Sequence, residues 1–66
     1  MKSRDIIRAI RDEGWWLDRI VGSHHHFRHD ERPGTTTVIH PKKDISIGTV
    51  KSIEKQSGVK LRRRRT

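Results

Sequence analysis

Glycine and proline interrupt this chain so often that it can fold only as a set of short elements packed together. The breaks fall at Gly14, Gly22, Pro33-Gly34, Pro41 and Gly58. The stretches between them suit single strands or helices of about ten residues, and such elements are marginal in isolation. We therefore predict one small domain whose elements stabilise one another.

Size and composition limit how such a domain is stabilised. A chain of 66 residues buries only about 60% of the surface that its unfolded form exposes, so the core must be thin. The absence of cysteine excludes disulfides and thiolate zinc ligands and gives no reason to expect a location outside a reducing cytoplasm. No apolar run approaches the ~18–20 residues of a membrane span. We expect a soluble cytoplasmic protein with no membrane partner.

The first segment is predicted to form a short amphipathic helix. Ser3 is a suitable N-cap, and Ile6, Ile7 and Ile10 fall on one helical face. Gly14 follows where a residue with positive φ would end the helix, because glycine adopts that conformation without a steric penalty. We expect the three isoleucines to pack against the rest of the domain.

A second helix is predicted from residue 46 or 47 to residue 57, after Pro41 has ended the preceding strand. Ile47, Val50 and Ile53 recur every three residues, and Gly58 supplies the stop. This spacing indicates an apolar face directed at the core.

Residues 15–21 are rich in aromatic and β-branched side chains and are bounded by glycines, which predicts a first strand. Strict alternation divides its side chains between two faces of the sheet. The face with more apolar residues, assigned to the core, holds Trp15, Leu17, Arg19 and Val21, and the other holds Trp16, Asp18 and Ile20.

Two further strands are predicted at 24–29 and 35–40, joined by a turn through Pro33-Gly34. If Phe27 and Val38 face the core, His25 and His29 lie on the side of Phe27. His24, His26 and Arg28 then lie on the opposite side. The predicted fold is α+β with the order αβββα, in which two helices cover one face of a three-stranded antiparallel sheet and leave the other face open.

The most reactive stretch of the sequence is Gly22-Ser23-His24-His25-His26-Phe27. Histidine exchanges a proton near neutral pH, since its ordinary pKa is about 6.5. A histidine cluster beside a turn is therefore a candidate acid/base site, with His24 and His26 on the open face. The same two side chains could bind zinc, but no third ligand lies at a convincing spacing. A plainer interpretation makes His24 a polar residue at a strand edge.

The formal net charge of +8 is concentrated near the end of the sequence. Lys60 and Arg62 to Arg65 provide five of the basic residues, and the residues before them carry +3. Such a run is typical either of a solvated tail or of one that attracts RNA. The folded part is only mildly basic.

Four segments, in order, closely resemble the HicA toxins of bacterial type II toxin–antitoxin systems. They are Gly14-Trp15-Trp16-Leu17 with Arg19, Gly22-Ser23-His24-His25-His26-Phe27-Arg28-His29, Thr37-Val38-Ile39-His40-Pro41, and Gly48-Thr49-Val50-Lys51-Ser52-Ile53 with Gly58. The resemblance covers residues 1–61, which we treat as one toxin domain, and leaves 62–66 as a basic tail outside the family pattern. Ile39 also departs from that pattern, because many relatives carry proline there.

The resemblance implies a fold like the double-stranded RNA-binding domain, cleavage of RNA, chiefly mRNA, and neutralisation by a HicB antitoxin that covers the active surface. It makes His24 the catalytic residue, next to the flexible Gly22. No metal or other cofactor is expected. Supporting or RNA-binding roles are predicted for Gly22, Ser23, His26, Arg28, Lys42 and Lys43. The predicted antitoxin interface comprises Trp16, Ile20, His24 and His26.

Two other functions stay open at this point. The same fold could serve as an RNA-binding module that does not cut, although Lys51 is the only lysine in the first turns of the second helix, and passive duplex binders usually place several there. The chain could also be a degenerate toxin kept only to pair with a partner. The presence of His24 argues against that second alternative.

Overall fold

The computed structural model describes residues 1–62, and they form the predicted sequence of elements. These elements are helix α1 (Ser3–Asp12), strands β1 (Trp16–Val21), β2 (His24–Arg28) and β3 (Thr36–Ile39), and helix α2 (Ile47–Ser57). The strands form one antiparallel sheet in the order β1-β2-β3. The αβββα prediction is therefore confirmed. Arg63 to Arg65 of the basic tail lie outside the described residues.

The core lies between the two helices and one face of the sheet. Phe27 and Val38 are fully buried on that face, and Ile6, Ile10 and Ile53 meet them from the helices. Trp15, which precedes β1, is buried as well, and its indole Nε1–H donates to the carbonyl of Ser57, 3.2 Å away. This bond joins the end of α1 to the end of α2.

Both helices end just before the glycines that were predicted to stop them. Gly14 has φ +98° and its N–H donates to the Arg11 carbonyl, while Gly58 has φ +73° and donates to the Glu54 carbonyl. A side chain at Gly14 would also collide with the His29 ring, since an added Cβ would lie 2.6 Å from its Nε2 atom. Within residues 1–62, no helix is long and apolar enough to cross a membrane.

The predicted capping role of Ser3 is wrong. Lys2 occupies the N-cap without a capping side chain, and Ser3 is a buried residue of the first turn. Its hydroxyl instead accepts a hydrogen bond from the Lys42 N–H and shares one with His40 Nδ1. A tertiary contact has replaced the local one.

Ile47 also departs from its predicted core position, because it is 61% exposed in the first turn of α2.

The facial assignment of β1 is wrong beyond its midpoint. Leu17 pairs with Phe27, but Arg19 pairs with His26, so Asp18 forms a β-bulge that shifts the alternation by one residue. Arg19 and Val21 therefore point to the open face, whereas Ile20 lies opposite His25 on the helix-side face. All residues of β1 are nonetheless exposed, because the helices pack chiefly on β3, the strand at the opposite edge of the sheet.

Candidate functional site

The candidate site begins at a two-residue turn that connects β1 to β2. Val21 and His24 pair across it, which leaves Gly22 and Ser23 as its central residues. Gly22 has φ +60°, whereas no residue other than glycine has a positive φ among those described. This pattern is typical of a type II′ hairpin turn, in which the first central residue is glycine. A Cβ added to Gly22 would meet no protein atom within 4 Å, so the turn faces open space.

His24 is the first strand residue after the turn. It pairs with Ile39 on β3, and its side chain is exposed on the open face of the sheet. No residue in the range 1–62 forms a hydrogen bond with its ring. The imidazole is therefore available to a ligand that approaches this face.

His26 lies on the same face, two residues along β2. Its ring is nearly parallel to that of His24, with 6.4 Å between the ring centroids and 17° between the planes. His26 Nδ1 shares a hydrogen bond of 2.9 Å with the hydroxyl of Thr37, its cross-strand partner. Since Nδ1 is occupied, Nε2 remains the available nitrogen of this ring. The two imidazoles thus lie side by side. The His26 ring is fixed by Thr37, and the His24 ring has no hydrogen bond within residues 1–62.

Arginines and an aromatic residue flank the two histidines. Arg19 lies beside His26, but its guanidinium pairs with Asp18 at 3.0 Å. Arg28 lies opposite Trp16 and is exposed, and no ion pair engages it within the described chain. Trp16 is 43% exposed and donates from Nε1 to Asp30 Oδ1. Of the two arginines, Arg28 is the better placed to contact an anion.

The other histidines have mainly structural surroundings. His29 packs against Trp15, donates from Nε2 to the Glu13 carbonyl and accepts the Glu31 N–H at Nδ1, so both of its nitrogens are used. His29 thus links the end of α1 to the turn that follows β2. His25 lies on the helix-side face opposite Val38, and its ring meets that of His40 edge to face at 5.0 Å.

The predicted site residues do not all come together. Gly22, Ser23, His24, His26 and Arg28 share the turn and the adjoining open face, with Trp16 at its far end. Lys42 and Lys43 instead line a cleft beyond the end of β3. Ile20 is 52% exposed at the β1 edge but belongs to the other face.

Sequence reasoning overlooked Thr37. Its role depends on the β2–β3 register, which places its hydroxyl against His26. Only a correct strand alignment could have found it. Among residues 1–62, no group of three or more histidine, cysteine, aspartate or glutamate side chains is arranged to hold a metal ion.

Comparison with known families gives one match. The family model of the HicA toxin of bacterial toxin–antitoxin systems matches residues 3–59 of the 66. This range includes all five helices and strands and every residue of the open face described above. The curated proteins searched contain no match.

Proposed function

This chain belongs to the HicA toxin family, and we propose that it is an mRNA interferase, an endoribonuclease that uses histidine acid/base catalysis and needs no metal. One observation carries the proposal: His24 and His26 stand side by side, with nearly parallel rings, on an uncovered sheet face. Histidine is the side chain best suited to move protons at neutral pH.

The reaction needs two proton transfers. A general base removes the proton of an RNA 2′-hydroxyl, and the resulting oxygen attacks the adjacent phosphorus. The bond from phosphorus to the 5′-oxygen breaks, and a general acid gives that oxygen a proton. The products are a 2′,3′-cyclic phosphate and a free 5′-hydroxyl. The acid and the base exchange protonation states, so the step needs no further reactant.

We assign one of these roles to His24 and the other to His26. His24 has a free ring on the open face, as a group that must reach the substrate requires. His26 is oriented by Thr37, which favours it over the Ser23 hydroxyl as the second group. Arg28 supplies positive charge toward the phosphate as negative charge develops in the transition state.

Gly22 contributes because it has no side chain. Its positive φ forms the turn, and the space that a side chain would fill is open. An RNA backbone can therefore come close to the main chain beside His24.

The same face suits a HicB-type antitoxin. Trp16, Val21 and Ile39 are exposed large apolar side chains around the two histidines, and large aromatic residues often anchor protein interfaces. An antitoxin seated on Trp16, His24 and His26 would inhibit by blocking access of RNA. Ile20 would join this interface only where the antitoxin extends over the β1 edge.

Growth of bacterial cells tests the proposed function. Expression of the wild-type chain alone should arrest growth, and co-expression of its antitoxin should restore it. His24→Gln should abolish the arrest. His25→Gln is the matched control, because it makes the same change one residue away on the other face of β2, and it should keep most of the toxicity. Equal toxicity of wild type and His24→Gln would contradict the assignment of His24, while a wild-type chain that cells tolerate would favour an RNA binder that does not cut.

A further inference from the structure

A cleft at the end of the sheet carries a concentration of positive charge that the histidine site does not use. It has a volume of about 320 Å³ and lies where the chain leaves β3 and passes the start of α1. Seven residues line it, four of them basic: Lys2, Ser3, Arg4, His40, Pro41, Lys42 and Lys43. No carboxylate is among the lining residues.

The backbone beneath the cleft is fixed by reciprocal hydrogen bonds. The Ser3 N–H donates to the Lys42 carbonyl at 2.9 Å, and the Lys42 N–H donates to the Ser3 hydroxyl oxygen at the same distance. That hydroxyl also lies 2.7 Å from His40 Nδ1, and Ser3 itself is only 2% exposed. A buried serine thus joins the two segments that carry the cations.

The basic residues of the cleft are available to an anion. Within residues 1–62, no ion pair involves any of the four cationic side chains. An anion in the cleft would therefore find basic side chains that no carboxylate of the described chain engages.

Strand pairing brings the proposed catalytic residue close to the cleft. Ile39 pairs with His24, and the next residue, His40, lines the cleft. The His40 N–H also donates to the Ser23 carbonyl at 2.8 Å, which ties the cleft wall to the turn that precedes His24. A polyanion held at His24 could therefore continue over the end of the sheet into the cleft.

We propose that this cleft binds a backbone phosphate of the RNA substrate, at a nucleotide that flanks the one being cut. The inference rests on the proposed ribonuclease function and adds to it a second, non-catalytic contact with the same strand. Contacts to phosphate position a nucleic acid without reading its sequence, so the cleft contributes affinity and alignment but not base preference.

The test is RNA binding in the His24→Ala background, where the substrate stays intact. Arg4→Gln/Lys42→Gln removes two cations from the cleft and leaves the hydrogen bonds of the Lys42 backbone in place. Arg8→Gln/Lys55→Gln is the matched control, because it also removes one arginine and one lysine, from exposed positions on α1 and α2 that do not line the cleft. Fluorescence anisotropy with a labelled single-stranded RNA, over a series of salt concentrations, gives the affinity and its salt slope. Circular dichroism verifies that each protein folds.

We expect Arg4→Gln/Lys42→Gln to weaken binding of RNAs of different sequence equally and to make the salt slope shallower by about 0.7, the contribution of one phosphate contact on a single strand. The control pair should change the slope by less than half as much. Equal slopes for the cleft variant and its parent would overturn the proposal, as would equal effects of the two variant pairs. A cleft variant that binds RNA normally but loses affinity for the antitoxin would assign the cleft to the protein partner instead. Failure of the His24→Ala parent to bind RNA at any salt concentration would contradict the ribonuclease function itself.

Discussion

Thr37 sets the position of the His26 ring through a single hydrogen bond. The bond is 2.9 Å long and crosses between neighbouring strands, so it fixes one nitrogen of the imidazole while the ring stays on the open face. In the proposed reaction, this makes Thr37 a positioning residue that does not itself touch the substrate. Its contribution can be isolated, because valine has nearly the same shape without the hydroxyl.

Thr37→Val should slow RNA cleavage by about 2- to 10-fold, which corresponds to the loss of one hydrogen bond of about 0.5–1.5 kcal/mol. Thr37→Ser retains the hydroxyl and should restore most of the rate. The measurement is kcat/KM for a defined RNA as a function of pH, since a change in His26 alters the profile and a general loss of packing does not. Wild-type kinetics for Thr37→Val would exclude His26 as the second acid/base group or exclude Thr37 as its support.

At the scale of the elements, α2 and the chain that follows it are joined through Glu54. Its carboxylate accepts hydrogen bonds from the backbone N–H groups of Leu61 and Arg62 and from the Arg62 side chain, at 2.7, 3.0 and 2.8 Å. The bond from the Arg62 backbone is the largest cause that lowers the pKa of Glu54, and the Leu61 N–H and the Arg62 guanidinium add to it. These three hydrogen bonds to Glu54 hold Leu61 in its buried position.

The lowered pKa determines how the stabilisation by Glu54 depends on pH. A carboxyl group with a lower pKa in the folded state stabilises the fold above its unfolded pKa, about 4.3 for glutamate, and the stabilisation is lost as the pH falls through the folded value. Wild type should therefore be more stable than Glu54→Gln at neutral pH, and the two should converge in acid. Urea unfolding at several pH values measures this, with Glu31→Gln in the exposed β2–β3 turn as the control. A difference between wild type and Glu54→Gln that does not change with pH would contradict the assignment.

Most elements could be predicted from the sequence because local chemistry decides them. Gly14 and Gly58 end the helices through positive φ, and period-two alternation around Phe27 correctly divides the β2 side chains between the two faces. The candidate site depends on that same alternation, which is why His24 and His26 were found together.

The errors have a common origin in contacts between distant residues. The bulge at Asp18 reverses the faces of Arg19, Ile20 and Val21, and it depends on how β1 pairs with β2. The Ser3 hydroxyl bonds to residues that lie 37 and 39 positions away. For the same reason, only part of the cationic cleft could be predicted. RNA contacts were expected for Lys42 and Lys43, but their juxtaposition with Lys2 and Arg4 depends on how the end of β3 meets α1.

On the scale of the whole molecule, the two sheet faces have different roles. The helices cover one face over β2 and β3, and the other face exposes Trp16, His24 and His26. Trp16→Ala should weaken the antitoxin complex by about 30-fold, which corresponds to the ~2 kcal/mol typical of a buried tryptophan anchor. Ile47→Ala is the control, since Ile47 is an exposed apolar residue on α2. Titration calorimetry with the antitoxin gives both affinities, and equal values for wild type and Trp16→Ala would remove Trp16 from the interface.

The central claim, cleavage of RNA by histidine acid/base catalysis at His24, is tested most directly with purified protein. Wild type and His24→Ala are incubated with RNA in excess EDTA, and the ends of the products are identified, with circular dichroism as the control for folding. The account predicts that wild type cuts and leaves 2′,3′-cyclic phosphate ends, and that His24→Ala is slower by about 10²–10⁴-fold while it remains folded. Cleavage by His24→Ala at the wild-type rate, or a wild-type activity that EDTA abolishes, would contradict it.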